Sequence, residues 1–106
     1  MILYNVTIKI DHKAHSQWLD WMKNKHIPEV METGCFVECR FCKMLGIDET
    51  DGVTYAAQYL AKDLDAIQDY QENHAPSLQE DYKKNWENLY VVFRSLLEVV
   101  HKEGGD

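Results

Sequence analysis

Two His-x-Pro triplets, at residues 26–28 and 74–76, contain both prolines of this 106-residue chain and repeat at an offset of 48 residues (74 − 26). Histidine changes charge closest to neutral pH, so His26 or His74 could serve as a general base or a haem ligand. Repetition of both residues at one offset fits a repeated fold better. At a helix end a cationic imidazole faces the negative end of the macrodipole and bonds free carbonyls, worth about 0.3–1 kcal/mol, which accounts for both histidines at once. His12 and His15 stand at i and i+3 and could hold a metal, but no third ligand stands with them. They read as solvated, and neither a metal site nor a cofactor is expected.

Cys35, Cys39 and Cys42 form C-x3-C-x2-C, the spacing of the cluster-binding cysteines in radical S-adenosylmethionine enzymes. Cluster ligands must converge from a loop, whereas these lie in a segment patterned as a strand. There Cys35 and Cys39 stand about 13 Å apart, at ~3.3 Å per residue, with Cys42 on the opposite face. They read as three buried small apolar thiols. The stripe Trp18, Trp21, Met22 has the spacing of a helix face packed on a sheet and reads as core.

The elements that position these residues follow from periodicity. Residues 2–10 alternate, with Ile2, Tyr4, Val6, Ile8 and Ile10 on one face and Leu3, Asn5, Thr7 and Lys9 on the other, which predicts a half-buried strand. Asp11 is placed to cap a helix in which Ala14, Trp18, Trp21, Met22 and Lys25 recur at helical spacing. Pro28 ends that helix by disfavouring the α conformation at Ile27, then suits the first turn of a short helix running to Gly34. A strand over 35–45, a polar hairpin loop over 46–52 and a strand over 53–61 follow. Asp63 caps a second helix through Leu64, Ile67, Tyr70 and His74, which Pro76 restarts through Leu78, Tyr82 and Trp86. Residues 89–100 form a β-branched and aromatic fourth strand, with a helical ending from Ser95 as the alternative. The order β-α-β-β-α-β is the ferredoxin-like plan, an α+β fold with an antiparallel four-stranded sheet and both helices on one face. Residues 1–100 form the single domain and residues 101–106 a flexible tail.

At 45% hydrophobic and 27% charged residues the chain suits a folded, soluble domain with one core. Its formal net charge of −7 opposes phosphate backbones and anionic bilayers, so neither nucleic acid nor a membrane is an expected partner. No stretch approaches the ~20 apolar residues of a membrane span, and no basic region precedes the apolar N-terminus. A cytoplasmic location is expected, because three clustered cysteines do not suggest a secreted disulfide framework.

The sheet face opposite the helices is taken as the positions opposite the more apolar ones. It comprises Leu3, Asn5, Thr7 and Lys9; Phe36, Glu38, Arg40, Cys42 and Met44; Thr54, Ala56, Gln58 and Leu60; and Tyr90, Val92, Arg94 and Leu96. Its apolar members exceed what a monomer leaves exposed, so a second copy is the expected cover and the protein a homodimer. Polar residues between two such sheets must pair or surround a cavity. The candidate ligand-binding residues are therefore Asn5, Glu38, Arg40, Gln58 and Arg94, with His26 reaching the same cavity.

The run "WLDWMKNKHIPEVMETGCF", the start "MILYNVT", the segment "TYAAQYL", and "HAPSL" before "FRSLLEV" resemble the small bacterial family numbered 4286 among the domains of unknown function. More distantly, a βαββαβ chain with His-x-Pro after its first helix resembles the dimeric α/β-barrel superfamily. That superfamily includes antibiotic-biosynthesis monooxygenases, haem-degrading enzymes, muconolactone isomerases and ligand-sensing domains. The resemblance implies the fold and a dimer. The close family brings no activity, the wider one brings several, and no catalytic motif of those enzymes is found here.

Three functions follow as expectations. The first is a homodimer binding a small molecule in the cavity on the sheet face. The second is a metal-independent monooxygenase- or isomerase-like enzyme, which needs in addition a poised base or cation from His26, Glu38, Arg40 or Arg94. The third is a structural interaction module whose inner face packs dry.

Overall fold

The computed structural model describes residues 1–105. Its elements are β1 (Ile2–Ile10), α1 (His15–Trp21), a π-helical turn (Met22–His26), α2 (Ile27–Glu32), β2 (Glu38–Lys43), β3 (Val53–Ala61), α3 (Leu64–Asn73), α4 (Ala75–Trp86) and β4 (Tyr90–Glu98). The strands lie in the order β2-β3-β1-β4 with every neighbouring pair antiparallel. This is the expected ferredoxin-like α+β plan.

The core lies between the sheet and the helices. Tyr4, Ile8 and Ile10 of β1 and Tyr55, Ala57 and Tyr59 of β3 are buried there with Trp18, Met22, Val30, Ile67, Tyr70, Tyr82 and Trp86. Trp18 is fully enclosed, and its indole N–H donates to the Tyr82 hydroxyl at 2.6 Å, which ties α1 to α4 and satisfies a polar atom that burial would otherwise strand.

The first helix is not broken at Pro28. The N–H of Ile27 reaches back five residues to the Met22 carbonyl, and His26 keeps helical dihedrals at φ −66° and ψ −53°. A π turn of this kind accommodates a proline, which lacks the N–H of an α-helical bond and crowds the carbonyl four residues back. In the second half the chain does break, with His74 at φ −125° and ψ −43° between α3 and α4. The triplets thus repeat in sequence but not in backbone geometry. Asp63 caps α3 as expected, accepting from the Ala66 N–H at 2.9 Å, whereas Asp11 accepts from the Lys13 N–H in the turn ahead of α1 and does not cap that helix.

β4 is extended through Glu98, without a helical ending. Its pairing with β1 sets Tyr90, Val92, Arg94 and Leu96 opposite Ile10, Ile8, Val6 and Tyr4, so these four face the helices. The open face of β4 is Val91, Phe93, Ser95 and Leu97, the reverse of the sequence expectation. β4 is apolar on both faces, so alternation cannot choose between them; pairing with the one-sided β1 does. Phe36 is also displaced: β2 begins only at Glu38, and Phe36 packs in the core against Tyr4, Tyr59 and Tyr70. Residues 101–105 of the expected tail follow β4 without regular structure, and residue 106 lies outside the described residues.

Candidate functional site

On the helix side of the sheet a cavity of about 30 Å³ is lined by His26, Tyr4, Tyr59, Tyr70, Tyr82, Tyr90 and Arg94, among others. A buried water needs roughly 10–15 Å³ of such space, so the cavity admits one or two heavy atoms. Beside it lies an open recess of about 370 Å³ lined by Gln71, Ala75, Pro76, Ser95 and Leu96. Tyr4, Gln79 and Arg94 line both spaces and form the boundary between them.

His26 owes its position to the π turn. In a regular helix, residues five apart lie about 140° apart around the axis, at roughly 100° per residue. Five-residue hydrogen bonding brings them back over one another, and the His26 ring stacks on Trp21 with centroids 5.0 Å apart and planes 15° apart. Tyr82 of α4 meets the imidazole edge-on at 5.1 Å. Outside this stack Lys25 bridges Glu29 and Asp81 at 2.8 and 3.0 Å, joining the turn to α4.

Burial drives the His26 pKa down to about 4; Glu29 and Asp81 oppose the shift, while Lys25 and Arg94 add to it. The imidazole is therefore neutral at physiological pH, and its Nδ1 is buried without a hydrogen-bond partner. No side-chain cap bond is made at this position. The cationic helix cap expected from sequence is replaced by an uncharged, partly buried ring stacked on Trp21.

Burial also raises the pKa values of Tyr4, Tyr59, Tyr70 and Tyr82, and the Arg94 guanidinium partly opposes this at Tyr4, Tyr70 and Tyr82. Their hydroxyls stay protonated, although that of Tyr82 already accepts from Trp18. A neutral imidazole, phenolic hydroxyls and one guanidinium at the mouth can hold an anionic or hydroxyl-bearing head group.

The six candidate residues divide between the two faces of the sheet. His26 and Arg94 share the helix-side cavity. Arg40, Gln58 and Asn5 form a row across β2, β3 and β1 on the open face, where Arg40 pairs with Glu38 at 3.3 Å and Asn5 donates to Thr7 at 3.1 Å. A shallow recess of about 430 Å³ on that face is lined by Glu38, Arg40 and Gln58 together with Leu3 and Leu60. Tyr4, Tyr70 and Tyr82 were legible only as core. The signal for more was that they are tyrosines and not phenylalanines at helix-facing positions, since a buried hydroxyl asks for a partner.

Of the three cysteines only Cys35 is buried; Cys39 is half-buried on the helix side and Cys42 is exposed on the open face. The expectation of three buried thiols therefore fails for Cys42, because β2 is an edge strand. Burial raises the Cys39 thiol to about 11. His12 and His15 do not share a site: the first meets the Glu49 carbonyl at 2.6 Å and the second the Tyr55 hydroxyl at 2.6 Å. Among the described residues one group of three metal-ligand side chains converges, Cys35, Asp69 and His74. No helix of the described residues is long and apolar enough to cross a membrane.

Several solved structures share the fold. An ethyl tert-butyl ether d (ethd) family protein of Bacillus halodurans is 12% identical, with a TM-score of 0.66 over 94% of this chain and 100% of that one. A dimeric ferredoxin-like protein from an uncultured marine organism is 9% identical, with a TM-score of 0.68 over 98% of both chains. SnoaB, a cofactor-independent oxygenase from Streptomyces nogalater, is 14% identical, with a TM-score of 0.65 over 95% of both. At these identities the likeness is one of fold. No curated protein matches the sequence. The model of the family described as a domain of unknown function (DUF4286) matches residues 1–100, and the chain belongs to that family.

Proposed function

We propose that the protein is a cytoplasmic homodimer that binds a small anionic or phenolic molecule on the helix side of the sheet. The observation that carries this reading is the unpartnered Nδ1 of His26 in a tyrosine-lined cavity with Arg94 at the mouth. The inner cavity admits only one or two heavy atoms, so the body of the ligand lies in the adjoining recess while a carboxylate or phenolic oxygen passes Arg94 toward His26. Residues 1–100 act as one domain. The dimer is supported by the apolar open face, where Val91, Phe93 and Leu97 are 69%, 64% and 48% exposed.

A second reading places the ligand on the open face at Asn5, Glu38, Arg40 and Gln58, and is favoured by the larger recess there. Against it, the Arg40 charge is already met by Glu38. Calorimetric titration with 4-hydroxybenzoate separates the two. Loss of a charge-assisted hydrogen bond is worth about 1.5–3 kcal/mol, so Arg94→Gln should weaken binding roughly 10- to 100-fold and Arg40→Gln should leave it unchanged. The reverse pattern would establish the open face, and an absence of binding would favour an interaction module. Enzymatic use of His26 as a base adds a requirement, consumption of an enolisable or phenolic compound that is lost in His26→Gln.

A further inference from the structure

Cys35, Asp69 and His74 come from three places: the loop after α2, the body of α3, and the break between α3 and α4. Each position has a local cause. Gly34, at φ +77°, ends α2 in the left-handed conformation glycine tolerates, and the Cys35 N–H then donates to Thr33 Oγ1 at 3.2 Å. His74 leaves the helical path, which turns its imidazole back toward Asp69. Asn73 donates to Asp69 Oδ1 at 2.7 Å and orients the carboxylate so that Oδ2 meets the other two side chains.

The three ligand atoms lie within 4.8 Å of one another, with Cys35 Sγ 3.4 Å and His74 Nε2 4.0 Å from Asp69 Oδ2. Zinc bond lengths of about 2.0–2.3 Å in a tetrahedron set ligand atoms roughly 3.3–3.6 Å apart. The sulfur–oxygen pair already has that spacing. The half-exposed His74 ring needs only a small rotation to complete the set.

We propose that Cys35, Asp69 and His74 form a Zn²⁺ site with three protein ligands and one open position. Thiolate plus carboxylate neutralises the ion, imidazole is a common third donor, and Asn73 is the outer partner that fixes the carboxylate. A thiolate–imidazole pair selects zinc over magnesium or calcium, which take oxygen ligands. A cysteine nucleophile is the competing use of these residues. The Cys35 Sγ meets the Asp69 carboxylate at 3.4 Å and the Thr33 carbonyl at 3.9 Å, two acceptors and not an imidazole base. That disfavours nucleophilic chemistry. On binding, the S–H bond breaks, an S–Zn bond forms, and the proton passes to solvent.

The test is titration of the full-length, chelator-treated protein with Co²⁺ followed by displacement with Zn²⁺. One equivalent of Co²⁺ should produce a thiolate-to-metal charge-transfer band with intense ligand-field bands, both quenched by Zn²⁺. Cys35→Ser should abolish the charge-transfer band, and Asp69→Asn and His74→Gln should weaken binding at least tenfold. Asn73→Ala should weaken it about 10- to 100-fold. Cys39→Ser and Cys42→Ser should bind as the parent does. Persistence of the band in Cys35→Ser, its loss in Cys39→Ser or Cys42→Ser, or no band at all would overturn the assignment. If Cys35→Ser does not fold, unchanged binding in the two partly exposed variants, Asp69→Asn and His74→Gln, would overturn it equally.

Discussion

His26 carries the sharpest consequences of a single side chain. Its pKa is about 4 in the folded chain, against the ordinary histidine value of 6.5 that holds once the chain unfolds. Between those values the unfolded chain holds the extra proton, so stability is full above pH 6.5 and falls as pH drops toward 4, by roughly 3 kcal/mol at most. Urea midpoints should show this slope in the parent and little of it in His26→Phe, which keeps an aromatic ring on Trp21; equal slopes in the two would dismiss a neutral His26. Tyr82→Phe makes a second case. It strips the acceptor from the buried Trp18 indole and should cost about 1–3 kcal/mol by chemical denaturation, whereas an exposed tyrosine hydroxyl would cost almost nothing. His26 was legible in the sequence as a candidate for chemistry, but its charge state was not. That state depends on burial beneath Trp21 and Tyr82, and Tyr82 arrives from a helix far along the chain.

Among the elements, the π turn decides whether Trp21 and His26 share a face. Pro28→Ala restores an N–H and allows an α-helical turn to replace it. Global stability should change by no more than about 1 kcal/mol. The His26 imidazole should nevertheless titrate nearer its ordinary value by NMR; an unmoved titration would mean that packing, and not proline, holds the turn. Gly52→Ala should be costlier, roughly 1–3 kcal/mol by thermal melting, because a Cβ there would sit 2.5 Å from the Ile10 carbonyl oxygen at φ +156°. Strand and helix order was legible because β1 alternates cleanly and Asp63 marks a helix start. The face of β4 was not, since Tyr90, Val92 and Leu96 are as apolar as Val91, Phe93 and Leu97 and only cross-strand pairing separates them. The π turn also escaped periodicity, because proline signals a departure from α geometry without saying which one.

Across the whole molecule the proposed function divides the work between the two sides of the sheet, with the ligand on the helix side and a partner copy on the open face. A homodimer through Val91, Phe93 and Leu97 should bury more than about 1,200 Å² in total. Phe93→Asp should yield monomers in sedimentation at micromolar concentration while ligand binding survives, and a dimer untouched by that change would move the interface elsewhere. The open face was foreseen as the dimer surface and as the place of the candidate site; Asn5, Glu38, Arg40 and Gln58 do lie there, whereas Arg94 faces the other side. The most direct measurement is NMR titration of the His26 imidazole in the parent and in Arg94→Gln, with and without 4-hydroxybenzoate. The parent should titrate near pH 4 alone and several tenths of a unit or more higher with the probe, since an anion held beside the ring favours its charged form, and Arg94→Gln should lose the probe's effect. Titration near pH 6.5 that the probe does not move, with its shifts confined to Arg40 and Gln58, would contradict a ligand site on the helix side.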